Sequence, residues 1–255
     1  SIESVVSFIN LYDSIYINKN NKKNHDVKFY GKFSKKISSN NTILNLLKLL
    51  DKMNKLNGIK FSIKIYKNIP TKSGLGGGSM NAASVLKYLL ESENIKLNLK
   101  EIKNVTSKIG SDVAIGMQYK NSILYGNGKL KRIEKGLNLY ALLIKPPFGC
   151  STKIIYHSIK HLSKSNLKNL KLSQLNVKFL IQSKNDLEKV AFKKYPTLEK
   201  IKCFMDKFKN VTFVRMTGSG STIIAYFNSK KAAQNAEKIL KKNYKKYWCI
   251  LSKTI

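Results

Sequence analysis

The chain has 255 residues, 42% of them hydrophobic, which is enough for one large domain or two compact domains with a real core. Its formal net charge is +34, but every basic residue except Arg132 and Arg215 is a lysine, and specific readers of nucleic acid rely on the planar arginine fork. We therefore expect no specific nucleic-acid partner and attribute the surplus of lysine and asparagine to an AT-rich coding sequence, with a general preference for anionic ligands and an RNA-binding surface as the alternatives.

The first elements in chain order are strands and one helix. Strand-forming residues fill residues 3–18, and a polar turn separates them from a second strand at "VKFYGKF", so two strands joined by a loop are expected. The stretch "NNTILNLLKLLDKMNKLN" has apolar residues at helical spacing. It predicts a helix capped by one of three residues, Asn40, Asn41 or Thr42.

A glycine-rich loop between a strand and a helix comes next. In "IKFSIKIYKNI" four apolar residues alternate toward the core, which predicts a half-buried strand that ends at Pro70: Ile59, Phe61, Ile63 and Ile65. A helix is predicted at 79–93 after the loop, and another at 98–109 that stops at Gly110.

The second half predicts an α+β arrangement of ferredoxin-like type. Strands are expected within residues 121–144, and "KPPFG" from Lys145 to Gly149 is the best hinge, so the predicted domains are 1–145 and 146–255. A helix at 151–162, a loose lysine-rich stretch and helices near 186–208 follow. Strands at "TFVRM" and "STIIAYF", a helix at 229–242 and a strand at "YWCILSK" complete the chain.

The loop "PTKSGLGGGSMNAA" predicts a phosphate site. Consecutive glycines let several backbone N–H groups point into one space, and the positive end of a helix begins there. The spacing fits neither a Walker A loop nor the dinucleotide fingerprint, and a flexible linker or tight turn is the alternative. Ser79 and Asn81 open the helix, where they could cap it, contact phosphate or contact a phosphate-bound magnesium ion.

Two further segments carry possible chemistry. "MTGSGST" at 216–222 is a second phosphate-sized turn, although alone it is more often only a turn. In "KIGSDVAIGM", Asp112 follows a glycine that ends a helix. Such an aspartate is commonly a cap, but in phosphoryl transfer a carboxylate can orient the attacking hydroxyl and accept its proton.

The cysteine pattern and the hydropathy exclude several classes of protein. Cys150, Cys203 and Cys249 are far apart and lack a CxxC pair, so we predict neither a disulfide framework nor a metal-ligand set, and a reducing cytoplasm is expected. No apolar run approaches the length of a membrane span and no signal-peptide pattern opens the chain, so no membrane partner is expected.

These segments together resemble the GHMP kinases. "PTKSGLGGGSMNAA" is similar to the ATP loop of that superfamily, "GSDV" to its aspartate turn and "TGSGST" to its C-terminal glycine motif. "INLYD", "STKIIY" and "NDLE" are similar to an early strand, a segment near cytidine and a characteristic helix start in members whose acceptor carries cytidine. The matches follow the family order from residue 9 to Phe227.

The resemblance implies a two-domain α/β (α+β) kinase, with an N-terminal ribosomal-protein-like domain and a C-terminal ferredoxin-like domain. It implies ATP with Mg²⁺ as cofactors and a small-molecule alcohol as acceptor. Other small-alcohol kinases of the superfamily, of mevalonate or homoserine type, are the rival interpretation. An RNA-binding protein is a rival from another class.

The resemblance also assigns residues. It implies that Asp112 acts on the attacking hydroxyl, that Asn41 and Lys67 lie near the adenosine part of ATP, and that Thr152 and Tyr156 lie beside the cytidine. A core tyrosine on an amphipathic helix is the alternative for Tyr156. The residues implied to contact the ATP phosphates are Pro70, Thr71, Lys72, Ser73, Gly74, Leu75, Gly76, Gly77, Gly78, Ser79, Met80, Gly218, Ser219 and Gly220.

Three departures from the family pattern are visible. Ala114 stands where the family usually has proline, and Met80 stands where it usually has a small residue; both changes fit the expected loop geometry. The family's active-site lysine and its Gly-Tyr-His turn would lie before Ser1, so we expect this chain to correspond to such a kinase without its first segment.

Overall fold

The computed structural model describes residues 3–35, 37–126, 128–134, 136–159, 162, 163, 167 and 175–255. They form two compact units. The N-unit consists of Leu11–Thr71 and Gly76–Tyr119, and the C-unit consists of Ser1–Asn10, Lys72–Leu75 and Lys120–Ile255. The predicted domain limits at 145 and 146 stay a prediction, while the longest segment of the C-unit begins at Lys120.

The N-unit packs helices against a three-stranded sheet. Its strands are β2 Ser14–Asn20, β3 Asp26–Tyr30 and β4 Lys60–Tyr66. Its helices are α1 Thr42–Lys52, α2 Gly77–Glu91, α3 Leu99–Ile109 and α4 Val113–Gly116. The buried core includes Leu46, Leu47, Leu50, Phe61, Ile63, Ile65, Leu86 and Leu89.

The order of the N-unit sheet differs from the simplest expectation. The two early strands exist, but they do not pair with each other, because β4 lies between them, antiparallel to β2 and parallel to β3. A parallel pair needs a crossover, and α1 supplies it between β3 and β4. This crossover brings the start of α1 to the end of the sheet where β4 leads into the glycine loop.

The alternation predicted for β4 is right at three of four positions. Phe61, Ile63 and Ile65 are each at most 1% exposed, whereas Ile59 is 37% exposed. The prediction for Ile59 is wrong because β4 begins at Lys60, so Ile59 belongs to the preceding turn.

The C-unit contains two sheets. The strands β1 Ser4–Val6, β5 Asn121–Leu124 and β6 Leu130–Ile133 form an antiparallel sheet in the order β1-β5-β6. The strands β7 Tyr140–Lys145, β8 Phe213–Met216, β9 Ile223–Phe227 and β10 Trp248–Lys253 form an antiparallel sheet in the order β10-β7-β9-β8. The predicted stretch 3–18 is thus divided between β1 and β2, in different units.

Five helices accompany these sheets in the described part of the C-unit. They are α5 Thr152–His157, α6 Val177–Gln182, α7 Leu187–Lys194, α8 Pro196–Met205 and α9 Lys230–Asn243. The sequence did not predict α6, and α5 ends five residues before the predicted 162. Most of the lysine-rich stretch predicted to be loose lies outside the described residues.

Strand β7 adds a fourth strand to the expected three-stranded half. It precedes the predicted hinge, yet it pairs with β9 and with β10, where Trp248 lies opposite Lys145. Within the described residues, no helix is both long enough and apolar enough to cross a membrane.

Candidate active site

The glycine turn at 217–222 and the first part of the glycine loop, Lys72–Leu75, are in direct contact within the C-unit. The Thr217 hydroxyl donates to the Gly74 carbonyl at 3.0 Å, and the Thr222 N–H donates to the Ser73 carbonyl at 3.1 Å. Leu75 packs into a small apolar cluster beside Leu143. Two segments more than 140 residues apart in the chain therefore form one backbone surface.

Gly74 makes this contact possible. A Cβ atom at this position would lie 2.3 Å from the Thr217 carbonyl oxygen and 2.8 Å from that of Gly220, and the backbone φ is +74°. Both the clash and the left-handed backbone exclude a side chain. The glycines are predicted to contact phosphate, and Gly74 has a second role in the structure, because it permits the close approach of the two loops.

Asn185 and Glu188 hold the same turn from the start of α7. The Asn185 side-chain amide donates to the carbonyls of Met216 and Gly218, each at 2.8 Å. A Glu188 carboxylate oxygen accepts from the Met216 N–H at 2.6 Å. Burial raises the pKa of Glu188 above its usual value, and the Met216 N–H and the Arg215 guanidinium oppose that shift.

Two residues predicted for different ligands lie side by side. The hydroxyl oxygens of Thr152, predicted near cytidine, and Ser219, predicted near phosphate, are 3.0 Å apart. Tyr156 follows one turn later on α5 and is 41% exposed, so it is not the core tyrosine of the alternative interpretation.

The "KPPFG" segment supports the turn. Buried Lys145 donates through Nζ to the carbonyls of Pro146 and Phe148 at 2.9 and 2.8 Å, and the Ser221 hydroxyl donates to the Phe148 carbonyl at 2.9 Å. Burial raises the pKa of the Cys150 thiol to about 11, so this cysteine stays protonated and is a packing residue.

In the N-unit the rest of the glycine loop opens α2. Gly76 occupies the N-cap position without a side-chain cap, and the Thr42 hydroxyl donates to the Gly78 carbonyl at 3.2 Å. Asn41 caps α1 by accepting from the N–H groups of Ile43 and Leu44. Asn41, predicted near adenosine, therefore lies next to the residue that contacts the start of α2.

The expectations for Ser79 and Asn81 as caps are wrong, since the cap position belongs to Gly76. Nor does the Asn81 side-chain amide point toward a ligand site: it is buried and donates to Asp13 at 2.9 Å. Lys67 is 4% exposed, and its ammonium is paired with Asp13. Any contact between Lys67 and adenosine would therefore use its backbone instead of its charge.

Asp112 occupies the N-cap position of α4, but its carboxylate does not cap the helix. It precedes α4 but makes no side-chain hydrogen bond to that helix, and its described partner is the Ser111 hydroxyl at 3.3 Å. A Cβ built on neighbouring Gly110 would lie 3.5 Å from the Ser79 hydroxyl oxygen, so the aspartate turn lies beside the first turn of α2. This placement leaves the carboxylate available for chemistry near the glycine loop.

Sequence analysis gave no role to four supporting residues, although each lies in a segment that it singled out: Asp13, Thr217, Asn185 and Glu188. The role of the last three follows from their contacts in and around the second glycine turn. Asp13 had a weak signal, because it is one of only 14 acidic residues and follows an apolar run. Within the described ranges, no three His, Cys, Asp or Glu side chains are grouped closely enough to hold a metal ion.

Comparison with known families agrees with this architecture. The GHMP kinases N terminal domain matches residues 41–119, and the GHMP kinases C terminal domain matches residues 159–246. The two glycine segments and the aspartate turn thus belong to a kinase of the GHMP class.

Individual relatives show which family of GHMP kinases the chain belongs to. A 4-diphosphocytidyl-2-C-methyl-D-erythritol kinase of Pelagibacter ubique is 47% identical over all 255 residues, which cover 91% of the relative. The kinase of the same name from Ehrlichia canis is 34% identical over 140 residues, 52% of this chain and 50% of the relative. The chain therefore belongs to the 4-diphosphocytidyl-2-C-methyl-D-erythritol kinase family.

Solved structures show the same fold. A 4-(cytidine 5'-diphospho)-2C-methyl-D-erythritol kinase has a TM-score of 0.74 at 20% identity, over 98% of this chain and 90% of that chain. A homoserine kinase from Cytophaga hutchinsonii has a TM-score of 0.71 at 16% identity, over 95% and 85%. At these identities the likeness establishes the fold alone.

Proposed function

We propose that the protein transfers the γ-phosphate of ATP to the 2-hydroxyl of 4-diphosphocytidyl-2-C-methyl-D-erythritol, in the non-mevalonate route to isoprenoid precursors. The observation that carries the proposal is the 47% identity to a kinase of that name across the whole chain. The glycine loop supports it, because it opens the 15-residue helix α2 and a helix N-terminus readily receives phosphate.

The phosphates of ATP are assigned to residues 70–80 and 218–220. Gly76 and the following glycines place free N–H groups at the positive end of α2, a 15-residue helix. Asn41 is assigned to the adenosine side, because α1 begins beside Gly78. We keep the assignment of Lys67 to the adenosine side, but only through its backbone atoms, because its ammonium is paired with Asp13.

Asp112 is the proposed base. The oxygen of the acceptor hydroxyl bonds to the γ-phosphorus, the bond from that phosphorus to the β,γ-bridging oxygen breaks, and the hydroxyl proton passes to the Asp112 carboxylate. Because the transition state of phosphoryl transfer is loose, the main contribution of the residue is to orient the hydroxyl. The absence of a cap hydrogen bond from its carboxylate supports this role over a structural one.

Thr152 and Tyr156 are assigned to the cytidine. The contact between Thr152 and Ser219 places this part of α5 next to the proposed phosphate turn, and the exposed ring of Tyr156 offers a face on which cytosine can stack. Both assignments are independent of the assignment of Asp112.

Magnesium is proposed to arrive with ATP and to screen its phosphates. Mg²⁺ prefers hard oxygen ligands and commonly takes several of them from substrate phosphates and water. The Ser79 hydroxyl oxygen is the proposed protein ligand of the ion, and it suits that preference.

The described cysteines are free thiols, which supports a reducing cytoplasm as the location of the protein.

The test is ADP release by the purified protein, expressed from its complete coding sequence. The cytidine substrate is offered beside mevalonate and homoserine, and Asp112→Asn is the control. We expect release with the cytidine substrate alone, competition by CMP, and a loss of about 10²–10⁴-fold in Asp112→Asn. A loss of only a few-fold in a folded Asp112→Asn protein would remove the proposed base.

The other outcomes of this assay distinguish the proposed function from its rivals. Release with mevalonate or homoserine, and indifference to CMP, would favour the rival kinases. No release with any of the three, together with tight RNA binding that falls steeply with salt, would favour the nucleic-acid interpretation.

A further inference from the structure

A buried carboxylate lies in the N-unit under the two ends of the glycine loop. The Asp13 side chain is 0% exposed. Its Oδ1 atom accepts from the backbone N–H groups of Asn68 and Ile69 at 2.7 and 2.9 Å. Its Oδ2 atom accepts from the Asn81 side-chain amide at 2.9 Å and from the Lys67 ammonium.

The two oxygen atoms serve different elements. Oδ1 binds the residues that follow β4 and lead into the loop, whereas Asn81 lies in the first turns of α2, after the loop. A buried carboxylate is tolerated only when it is paired and hydrogen-bonded, and such charge-assisted bonds are short and directional. The side chain therefore fixes the distance between the points where the chain enters and leaves the loop.

We propose that Asp13 is a positioning residue for nucleotide binding, because it ties the end of β4 to the start of α2 and so sets the geometry of the loop between them. The inference rests on the proposed function for the identity of the nucleotide. Lys67 completes the arrangement: its ammonium neutralises Asp13 and would lie 3.6 Å from a Cβ atom on Gly77, the first residue of α2.

The link to α2 can be broken alone, and a second variant disturbs the whole arrangement. Asn81→Ala removes the link to α2 and leaves Asp13 paired with Lys67 and bonded to Asn68 and Ile69. Asp13→Asn breaks more, because an amide has one acceptor oxygen. In either orientation its NH₂ group faces donors, namely Lys67 and Asn81 on one side or the two backbone N–H groups on the other. It also leaves the Lys67 charge buried and unpaired.

Asp51→Asn is the matched control. Asp51 is also a carboxylate of the N-unit bound by a lysine, with Lys60 Nζ at 2.6 Å and His25 Nε2 at 2.9 Å. Lys60 begins β4, so this ion pair lies at the end of the strand away from the glycine loop. The control breaks a lysine–carboxylate pair of the same unit without touching either end of the loop.

The experiment measures the Kd of ATP in the absence of acceptor, then KM for ATP and for the acceptor, at a temperature where thermal unfolding shows each variant to be folded. Asn81→Ala and Asp13→Asn should raise Kd and KM for ATP by roughly ten-fold or more, since displacements of about 1 Å at a distance from the chemistry cost up to about 100-fold. KM for the acceptor should change by less than about two-fold, because the loop is assigned to ATP and not to the acceptor. Asp51→Asn should lower the melting temperature and leave the constants for ATP unchanged.

Other results overturn the inference. If Asn81→Ala melts earlier but binds ATP within two-fold of the wild type, the link is structural only. Should Asp13→Asn fail to fold, Asn81→Ala still decides, because it keeps the ion pair. Failure of the wild-type protein to bind ATP would overturn the proposed function and this inference with it, whereas normal binding by wild type and both variants would overturn this inference alone.

Discussion

Replacing Gly74 by alanine should separate the two glycine segments. The new Cβ atom would lie 2.3 Å from the Thr217 carbonyl oxygen and 2.8 Å from the Gly220 carbonyl oxygen, distances that real Cβ atoms do not reach. Both oxygens are backbone atoms, so neither can rotate away. The overlap can be relieved only if Lys72–Leu75 moves away from the turn at 217–222. That movement strains or breaks the two hydrogen bonds that join these segments.

The expected loss of stability in Gly74→Ala is the sum of two contributions. A residue with a side chain at a φ of +74° costs about 1–2 kcal/mol in backbone strain. Each of the two hydrogen bonds contributes about 0.5–1.5 kcal/mol. Together they predict that Gly74→Ala lowers the free energy of unfolding of the C-unit by about 2–5 kcal/mol. Because the same segment is proposed to contact ATP, KM for ATP should rise as well.

Gly58→Ala supplies the control for backbone strain. Gly58 has a φ of +78°, but nothing lies within 4 Å of an added Cβ atom. This variant should therefore lose only about 1–2 kcal/mol and keep its KM for ATP. Urea unfolding gives the free energies, and initial rates of ADP release give the kinetic constants.

Equal losses of stability in Gly74→Ala and Gly58→Ala would refute the reasoning, because the close approach of the two loops would then contribute nothing. An unchanged KM for ATP in a destabilised Gly74→Ala protein would keep the packing argument and remove Lys72–Leu75 from the nucleotide site.

Three further predictions concern side chains around the second glycine turn and the thiols. Burial raises the pKa of Glu188 above 4.5, so the folded state binds more protons than the unfolded state, and stability is lost as the pH rises from 4.5 through the raised pKa. Glu188→Gln should remove this loss and keep the bond to Met216, which urea unfolding at several pH values checks. Asn185→Ala should cost about 1.5–4.5 kcal/mol for three lost hydrogen bonds, two donated to carbonyls and one accepted from the Leu187 N–H. Asn185→Asp should cost more because a carboxylate would face two carbonyl oxygens, and urea unfolding also measures this order. Cys150, with a pKa of about 11 and a buried side chain, should react with a thiol reagent at pH 8 far more slowly than exposed Cys203, as peptide mass mapping would show.

Each of these has a contrary outcome. A stability difference between wild type and Glu188→Gln that does not vary with pH would contradict the raised pKa. Equal stability of Asn185→Ala and Asn185→Asp would mean that the amide does not hold the turn. Alkylation of Cys150 as fast as that of Cys203 in the folded protein would show that the thiol is accessible.

Local sequence signals predicted the individual elements well. Helical spacing and a capping residue located α1, the glycine loop located the start of α2 to within two residues, and the end of α3 at Gly110 was confirmed. These elements could be predicted because their signals come from neighbours in the chain. The missed helix α6 is only six residues long and buries no residue, so it has no amphipathic pattern to detect.

Pairings between distant segments could not be predicted in this way. The position of β4 between β2 and β3 depends on a parallel pairing across a crossover, and β7 joins β9 and β10 from the far side of a proline-rich hinge. The same limit applies to the site. The glycine loop and Asp112 were visible as motifs in the sequence. The pairing of the Lys67 ammonium with Asp13 was not, because it joins residues 54 positions apart in the chain.

The position of Trp248 provides a probe of the two units. It is the single tryptophan of the chain, and it lies at the start of β10 in the C-unit, whereas tyrosines occur in both units. Tryptophan fluorescence therefore follows the unfolding of the C-unit, while the far-ultraviolet signal sums the secondary structure of both. Coincident transitions would mean that the two units unfold as one cooperative system, and separate transitions would give each unit a stability of its own.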